Sequence, residues 1–458
     1  VRLGFPRFQL FARLRPVALL SAVQVRASGA ASSTRCPRPA PYAAAVASGV
    51  DERLVLSWRS GEDLLEAVYG DGHVLLRVTT AGRTSEHRSR RYGRVRSPAT
   101  DIALTLTGTH LSVLTRAAGE GWTARARVGL ADLIDTRDES WLAALEVGHQ
   151  GPVDRLEAGG FGQLGLRDLR VASHADGSPY RLPDGRAVLT ATSAGPGFFD
   201  TAHTSVWALD PAVPALEHLA DLYFRRPDRP GVYGDHATHL VADTDGWLVA
   251  TSTWGDFDAR RRGASVAVTL ARTDADVLRG EHVLDTEPLA LPTDGFTSVG
   301  VWDPHLVRVG TGPDAGWLVG YVSARRFFSF HPVVASGPTL DELRVRGFDA
   351  RRRATEGTTL ARVSTGSTTE GDWVVLASDG RDGRTGQRER YPVFDLKMHE
   401  IGTLAGPYPT NIPWPTLLQA SADSDELVMI GFDGSRWGGN LLGYGTHGDV
   451  VIARSVGD

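Results

Sequence analysis

Trp302-Asp303-Pro304-His305-Leu306-Val307-Arg308-Val309, followed by Gly316-Trp317-Leu318-Val319-Gly320-Tyr321, is the stretch on which the fold turns. It reads as a carboxylate at the mouth of a short apolar strand, a turn, and a second apolar strand. A third strand follows at His331-Pro332-Val333-Val334-Ala335-Ser336 and ends in the turn Gly337-Pro338-Thr339-Leu340-Asp341. Strands this short cannot bury both faces alone, so the unit needs copies of itself as neighbours.

Copies lie on both sides of it. Asp168-Leu169-Arg170-Val171-Ala172 precedes Ala187-Val188-Leu189-Thr190-Ala191, and Ala237-Thr238-His239-Leu240-Val241 precedes Gly246-Trp247-Leu248-Val249-Ala250. Gly357-Thr358-Thr359-Leu360-Ala361 precedes Asp372-Trp373-Val374-Val375-Leu376, and Trp414-Pro415-Thr416-Leu417-Leu418 precedes Glu426-Leu427-Val428-Met429-Ile430. With residues 168, 237, 303, 357 and 414 taken as equivalent, the steps are 69, 66, 54 and 57 residues. Each step has room for about four strands with their loops, and radial repetition of four-stranded sheets is a β-propeller. The spacing predicts an all-β chain in which residues 160–458 form one five-bladed propeller. Ring closure removes sheet edges, so the last strand, Val450 to Ala453, is expected to complete a blade with a strand from another part of the chain.

The 458 residues are 41% hydrophobic and 22% charged, ordinary values for a globular chain. A net charge of −5 and the lack of a basic cluster interleaved with aromatics argue against a nucleic-acid partner. No apolar run reaches about 18 residues, so no membrane span is expected. The one cysteine, Cys36, rules out an intrachain disulfide and leaves localisation open between cytoplasm and secretion. Residues 1–48 carry Arg2, Arg7, Arg13 and Arg15 ahead of a short apolar run at 17–23, and they lack periodicity. They are expected to be disordered or a weak signal-like segment. Residues 50–155 hold hairpin patterns, such as Ala67-Val68-Tyr69 and His73-Val74-Leu75-Leu76 around Gly70-Asp71-Gly72. They suggest a smaller β-rich, sandwich-like accessory domain that binds carbohydrate or braces the propeller. The competing reading is an extra blade opening at Asp101, 67 residues before Asp168.

In a propeller the innermost strands run beside the central channel, so the residues that open them converge on one mouth. The openings supply Asp168, Asp235 with His236, Asp303, Glu356 and Trp414. Three carboxylates around a pit with aromatics on its rim suit glycoside hydrolysis. One must be protonated to donate to the leaving oxygen, and another must be ionised to activate water or attack carbon. A further negative group nearby raises the donor's pKa.

Asp168 in Arg-Asp-Leu-Arg-Val, Asp303 in Trp-Asp-Pro-His-Leu-Val and Glu356 in Thr-Glu-Gly-Thr-Thr-Leu resemble the three acidic motifs of family 43 glycoside hydrolases and their five-bladed relatives. The separations, 135 and 53 residues, fit two blades and one blade. Ala335-Ser336-Gly337-Pro338-Thr339-Leu340 resembles that family's third-strand signature. The resemblance covers residues 160–458. It departs from the pattern at Leu169 and Thr358, where the family usually has proline, and in the fifth blade, which lacks a Gly-His-Gly-type motif. The resemblance implies Asp168 as general base, Glu356 as general acid and Asp303 as the residue that tunes the acid and orients substrate. It also implies inversion at a pentose or furanose centre, with no cofactor required. The alternative is a propeller that binds carbohydrate without cleaving it.

Arg167, His236, Trp254, His305 and Trp414 are the candidate substrate-binding residues. His236 and His239 stand three apart on a strand and so face opposite ways, which argues against a zinc site; a structural ion in the central channel is compatible with the pattern. Phe198, Phe199, Trp254, Phe257, Phe327, Phe328, Trp414 and Trp437 lie near loops at the mouth, where a few can stack on a sugar ring. Arg325 or Arg326 could clamp hydroxyls.

Overall fold

The computed structural model describes residues 5–310, 312, 315–362, 373–421, 424–435 and 448–456. From Leu166 onward the apolar strands pair as antiparallel sheets that form the five blades. Blade 1 runs through Leu166–Val171, Ala187–Ser193, His203–Asp210 and Ala215–Arg226, and blade 2 through His236–Asp243, Gly246–Ser252, Val268–Thr273 and the short Glu287–Pro288. Blade 3 is Gly300–Val309, Gly316–Arg326, Ser329–Gly337 and Arg344–Phe348. Blade 4 is Thr355–Arg362, Trp373–Asp379, Tyr391–Phe394 and Glu400–Leu404. Blade 1 is wider than the repeat alone requires, because Gly280–Asp285 adds in parallel to Ala215–Arg226.

Blade 5 closes the ring. Thr416–Gln419, Leu427–Asp433 and Asp449–Val456 are completed by Arg7–Leu14, paired from Arg7↔Val456 to Leu14↔Val450. The segment expected to be disordered or signal-like is therefore structured over Arg7–Leu14, Ala18–Arg35 and Tyr42–Ser48. Within it, Arg13 pairs with Asp433 and with the buried Asp449. In Tyr42–Ser48 the alanines 43, 44, 45 and 47 are all buried, so the strand packs on both faces and carries no alternation.

The accessory unit is a single long sheet. Its order is Thr123–Gly129, His110–Arg116, Asp101–Thr107, Tyr42–Ser48, Glu146–Gln163, Leu54–Ser60, Asp63–Gly70, His73–Thr80 and Arg83–His87. It curls into a nearly closed, barrel-like form around one apolar core that includes Trp58, Leu76, Leu104, Val113 and Ala126. This corrects the sandwich expectation. Asp101–Thr107 does not open a sixth blade; it lies between Tyr42–Ser48 and His110–Arg116 in the barrel. Two strands of eighteen residues, Ala18–Arg35 and Glu146–Gln163, pair along their length. No helix among the described residues is long and apolar enough to cross a membrane.

The barrel grips the propeller through loops at its mouth and through the strand added to blade 1. Tyr42 Oη donates to the Ala202 carbonyl at 2.7 Å, and His110 lies 3.4 Å from Asp200. Arg137 Nη2 donates to the Gly255 carbonyl at 2.8 Å, and Arg38 is salt-bridged to Glu281.

Candidate active site

Each innermost strand opens with the same backbone device. Asp168 (φ 51°), Ala237 (φ 59°), Asp303 (φ 60°), Gly357 (φ 76°) and Trp414 (φ 49°) all occupy the left-handed region, and these are the five positions that align in the repeat. In blades 1 to 4 the ladder register shifts across this point, between Arg167 and Arg170, His236 and His239, Trp302 and His305, and Glu356 and Thr359. A bulge of this kind bends the strand and re-aims its side chains. Only glycine adopts the conformation without strain, so four non-glycine residues there mark a site whose surroundings hold them.

The holding contacts recur between blades. The Ala237 N–H donates to Thr192 Oγ1 (3.3 Å), the Asp303 N–H to Ser252 Oγ (2.9 Å) and the Trp414 N–H to Ser378 Oγ (3.0 Å). The corresponding second-strand residue of blade 3, opposite Trp302, is Val322, which has no hydroxyl. The Gly357 N–H is instead directed at the Asp303 carboxylate.

These bulges bring the residues just before and at the left-handed position to one pit of about 260 Å³. Arg167, Asp168, His236, Ala237, Trp302, Asp303, Glu356 and Trp414 line it together with Trp254. All three candidate carboxylates and four of the five candidate binding residues therefore meet. His305 does not line the pit. It lies deeper in the channel, stacked on His239 at 4.2 Å with its Nδ1 facing the Leu360 N–H at 3.4 Å. The bulge also changes the expectation for His236 and His239: His236 faces the pit, while His239 reaches the channel beneath it. Among the described residues no group of three or more His, Cys, Asp or Glu is placed to hold a metal ion.

A buried arginine fills the inner channel. Arg170 donates to Thr359 Oγ1 (3.1 Å), the Asp303 carbonyl (2.9 Å) and the Thr358 carbonyl (3.1 Å), and its guanidinium lies 4.7 Å from the Trp414 ring centre. One side chain of blade 1 thus ties blades 3, 4 and 5 at the carboxylate openings.

The electrostatics separate the acids. Burial pushes the Glu356 carboxyl up to about 7, helped by the charge of Asp168 and opposed by the Trp302 indole and by Arg167. Trp302 Nε1 donates to Glu356 Oε1 at 2.7 Å. Asp303 is held well above the usual carboxylate range by burial and by Glu356, against the pull of Arg170. The charge of Asp168 thus adds to the rise at Glu356, and Glu356 in turn raises its neighbour Asp303. Asp303 Oδ2 is buried with no hydrogen-bond partner. His236 is pushed down to about 3 by burial and by Arg167, so its ring is neutral at pH 7.

The sequence reading missed Trp302, Asp382, Asn411 and Phe432, which also line the pit. Trp302 could have been found, because it precedes Asp303 as Glu356 precedes Gly357. Of the loop aromatics, Phe198, Phe199, Trp254, Phe257, Phe327, Phe328 and Trp414 all line the pit, and Trp437 lies outside the described residues. Neither Arg325 nor Arg326 does; Arg325 points to the Arg352 carbonyl at 3.4 Å.

Fold and site together define a five-bladed propeller with an acidic, aromatic-rimmed pit at its mouth. No family model matches the sequence, and no curated protein matches it. Among solved structures, the chain is similar to a GH43_1 enzyme from Xanthomonas citri complexed with xylose. The identity is 14%, over 63% of this chain and 87% of that one, with a TM-score of 0.41. Bacillus subtilis levansucrase is 10% identical over 64% and 84%, with a TM-score of 0.42. A GH43 β-xylosidase/α-arabinofuranosidase from a compost microbial metagenome is 9% identical over 64% and 92%, with a TM-score of 0.39. The likeness, at low sequence identity, is to propeller glycoside hydrolases.

Proposed function

We propose that the protein is an inverting glycoside hydrolase, with pentosides, furanosides foremost, as its substrate class. The observation that carries this reading is the meeting of Asp168, Asp303 and Glu356, from three blades, in one buried pit where the Glu356 carboxyl is raised to about 7. A carboxyl with that pKa still holds its proton near neutrality and can surrender it in the transition state. Glu356 donates that proton to the glycosidic oxygen as the bond from the anomeric carbon to it breaks. Asp168 removes a proton from a water whose oxygen bonds the same carbon from the opposite face. One water is consumed, and exchange with solvent restores both carboxyls. Asp303 keeps an oxygen available to a sugar hydroxyl, and Trp302 fixes the donor carboxyl.

The test is hydrolysis of aryl pentofuranosides and pentopyranosides, with the first-formed anomer read by NMR. Turnover with inverted configuration supports the reading. A retained anomer would overturn the mechanism, and sugar binding without turnover of any glycoside would make the protein a binding propeller. In a sugar complex the Asp168 and Glu356 carboxyls should stand about 6.5–9.5 Å apart, with a water between base and sugar.

A further inference from the structure

We infer that the pit rim on blades 1 to 3 is a subsite for an apolar, flat leaving group, an aryl aglycone rather than a second sugar. The inference rests on the hydrolase reading and names the class of group cleaved from the sugar. The rim is one continuous run of rings. Phe199 lies 4.8 Å from Trp254, Trp254 is 4.9 Å from Phe257 in edge contact, and Phe257 is 4.6 Å from Phe327. Trp254 also lies 5.2 Å from Trp302, which holds Glu356, so the run leads from the rim to the proton donor.

Phe328 is the most telling member. It sits in the two-residue turn between Gly316–Arg326 and Ser329–Gly337, with φ 66°, and is 69% exposed while lining the pit. A phenylalanine there gives up the glycine or asparagine that the turn favours and leaves a large apolar surface in water. The second penalty is relieved when a flat apolar group covers the ring.

The polar lining residues lie elsewhere. Arg167, Asp168, His236, Asp303 and Glu356 come from the strand openings, and Asp382 and Asn411 from blade 4 and the loop before blade 5. A sugar in the leaving position needs hydrogen bonds around its edge, and among the described residues the side chains that line the Phe257–Phe327–Phe328 side of the rim are aromatic rings. The collar is also braced from outside: the barrel binds the loops that carry it through Tyr42 to the Ala202 carbonyl and Arg137 to the Gly255 carbonyl. Preorganised rings bind with less ordering loss.

The full chain and Phe328→Ser would be assayed on phenyl, 2-naphthyl and glycosyl derivatives of the same pentose, phenol and naphthol being leaving groups of similar acidity. The wild type should favour naphthyl over phenyl by about tenfold or more in kcat/KM, and Phe328→Ser should erase most of that preference by losing more on the naphthyl than on the phenyl substrate. Preference for the disaccharide, or an unchanged naphthyl preference in Phe328→Ser, would overturn the inference. Binding of the naphthyl pentoside to Glu356→Gln, followed by quenching of tryptophan fluorescence, separates the two readings. Binding that weakens on adding Phe328→Ser supports the collar even if no glycoside is hydrolysed. Binding that does not weaken removes the collar subsite and leaves the hydrolase reading to its own test.

Discussion

Trp302 and Glu356 hold equivalent places on neighbouring blades, and one donates a hydrogen bond to the other. This contact favours the ionised carboxylate, yet burial outweighs it and leaves the carboxyl near 7. Activity should therefore fall as pH rises through about 7, where Glu356 loses its proton. Trp302→Phe removes the indole donor, so the alkaline limb of the kcat/KM profile should move to higher pH; an unmoved limb would detach Trp302 from the acid. The same titration bears on stability. The folded protein holds the Glu356 proton up to about 7, whereas the ordinary value is 4.5, so this stabilisation is complete below 4.5 and is lost as pH climbs to 7. Melting temperature should fall across that window in the wild type and fall less in Glu356→Gln. At this scale the acids were legible because each sits at the opening of a repeat, Asp168 and Asp303 at the left-handed position and Glu356 one residue before it. Trp302 was overlooked because an indole beside a carboxylate reads as core until the partner blade is in place.

The element that matters is the opening bulge. Five inner strands put a left-handed residue at the same position, and hydroxyls from neighbouring blades hold three of the five N–H groups. Ser252→Ala leaves the Asp303 N–H buried without its acceptor, which should destabilise the protein by about 1–3 kcal/mol. It should also lower kcat, since the Asp303 backbone is no longer fixed; denaturant melts and steady-state kinetics on the same preparation check both. The repeat spacing disclosed where these strands begin. The bulges were not legible, because nothing in Arg167-Asp168-Leu169 or His236-Ala237-Thr238 calls for a left-handed residue: no glycine or asparagine marks it. Regular alternation therefore assigned His236 and His239 to opposite faces, and the bulge brings both toward the axis.

At the scale of the whole molecule the chain folds back on its own beginning. Arg7–Leu14 completes the blade whose other strands lie at the far end of the sequence, and the barrel strands that follow it brace the mouth loops. Removing residues 1–16 would leave Asp449–Val456 as an open edge and Asp449 buried without Arg13. Such a chain should melt lower and associate through the exposed strand, as read by calorimetry and light scattering. The N-terminal strands escaped notice for two physical reasons. Arg7–Leu14 is one edge strand with a mostly polar outer face, and the alanines of Tyr42–Ser48 face apolar groups on both sides. The five-fold repeat, by contrast, was legible because each blade must present its own apolar inner strands.

The most direct test of the central claim is the leaving-group dependence of two variants. With a pentoside whose leaving group is a poor one, Glu356→Gln should lose at least about 10² in kcat/KM, the usual contribution of a general acid. With an activated aryl leaving group, which departs without a proton, the same variant should lose far less, while Asp168→Asn should be severely impaired on both because water must still be activated. Equal losses for Glu356→Gln on the two substrates, or full activity in either variant, would contradict the assignment.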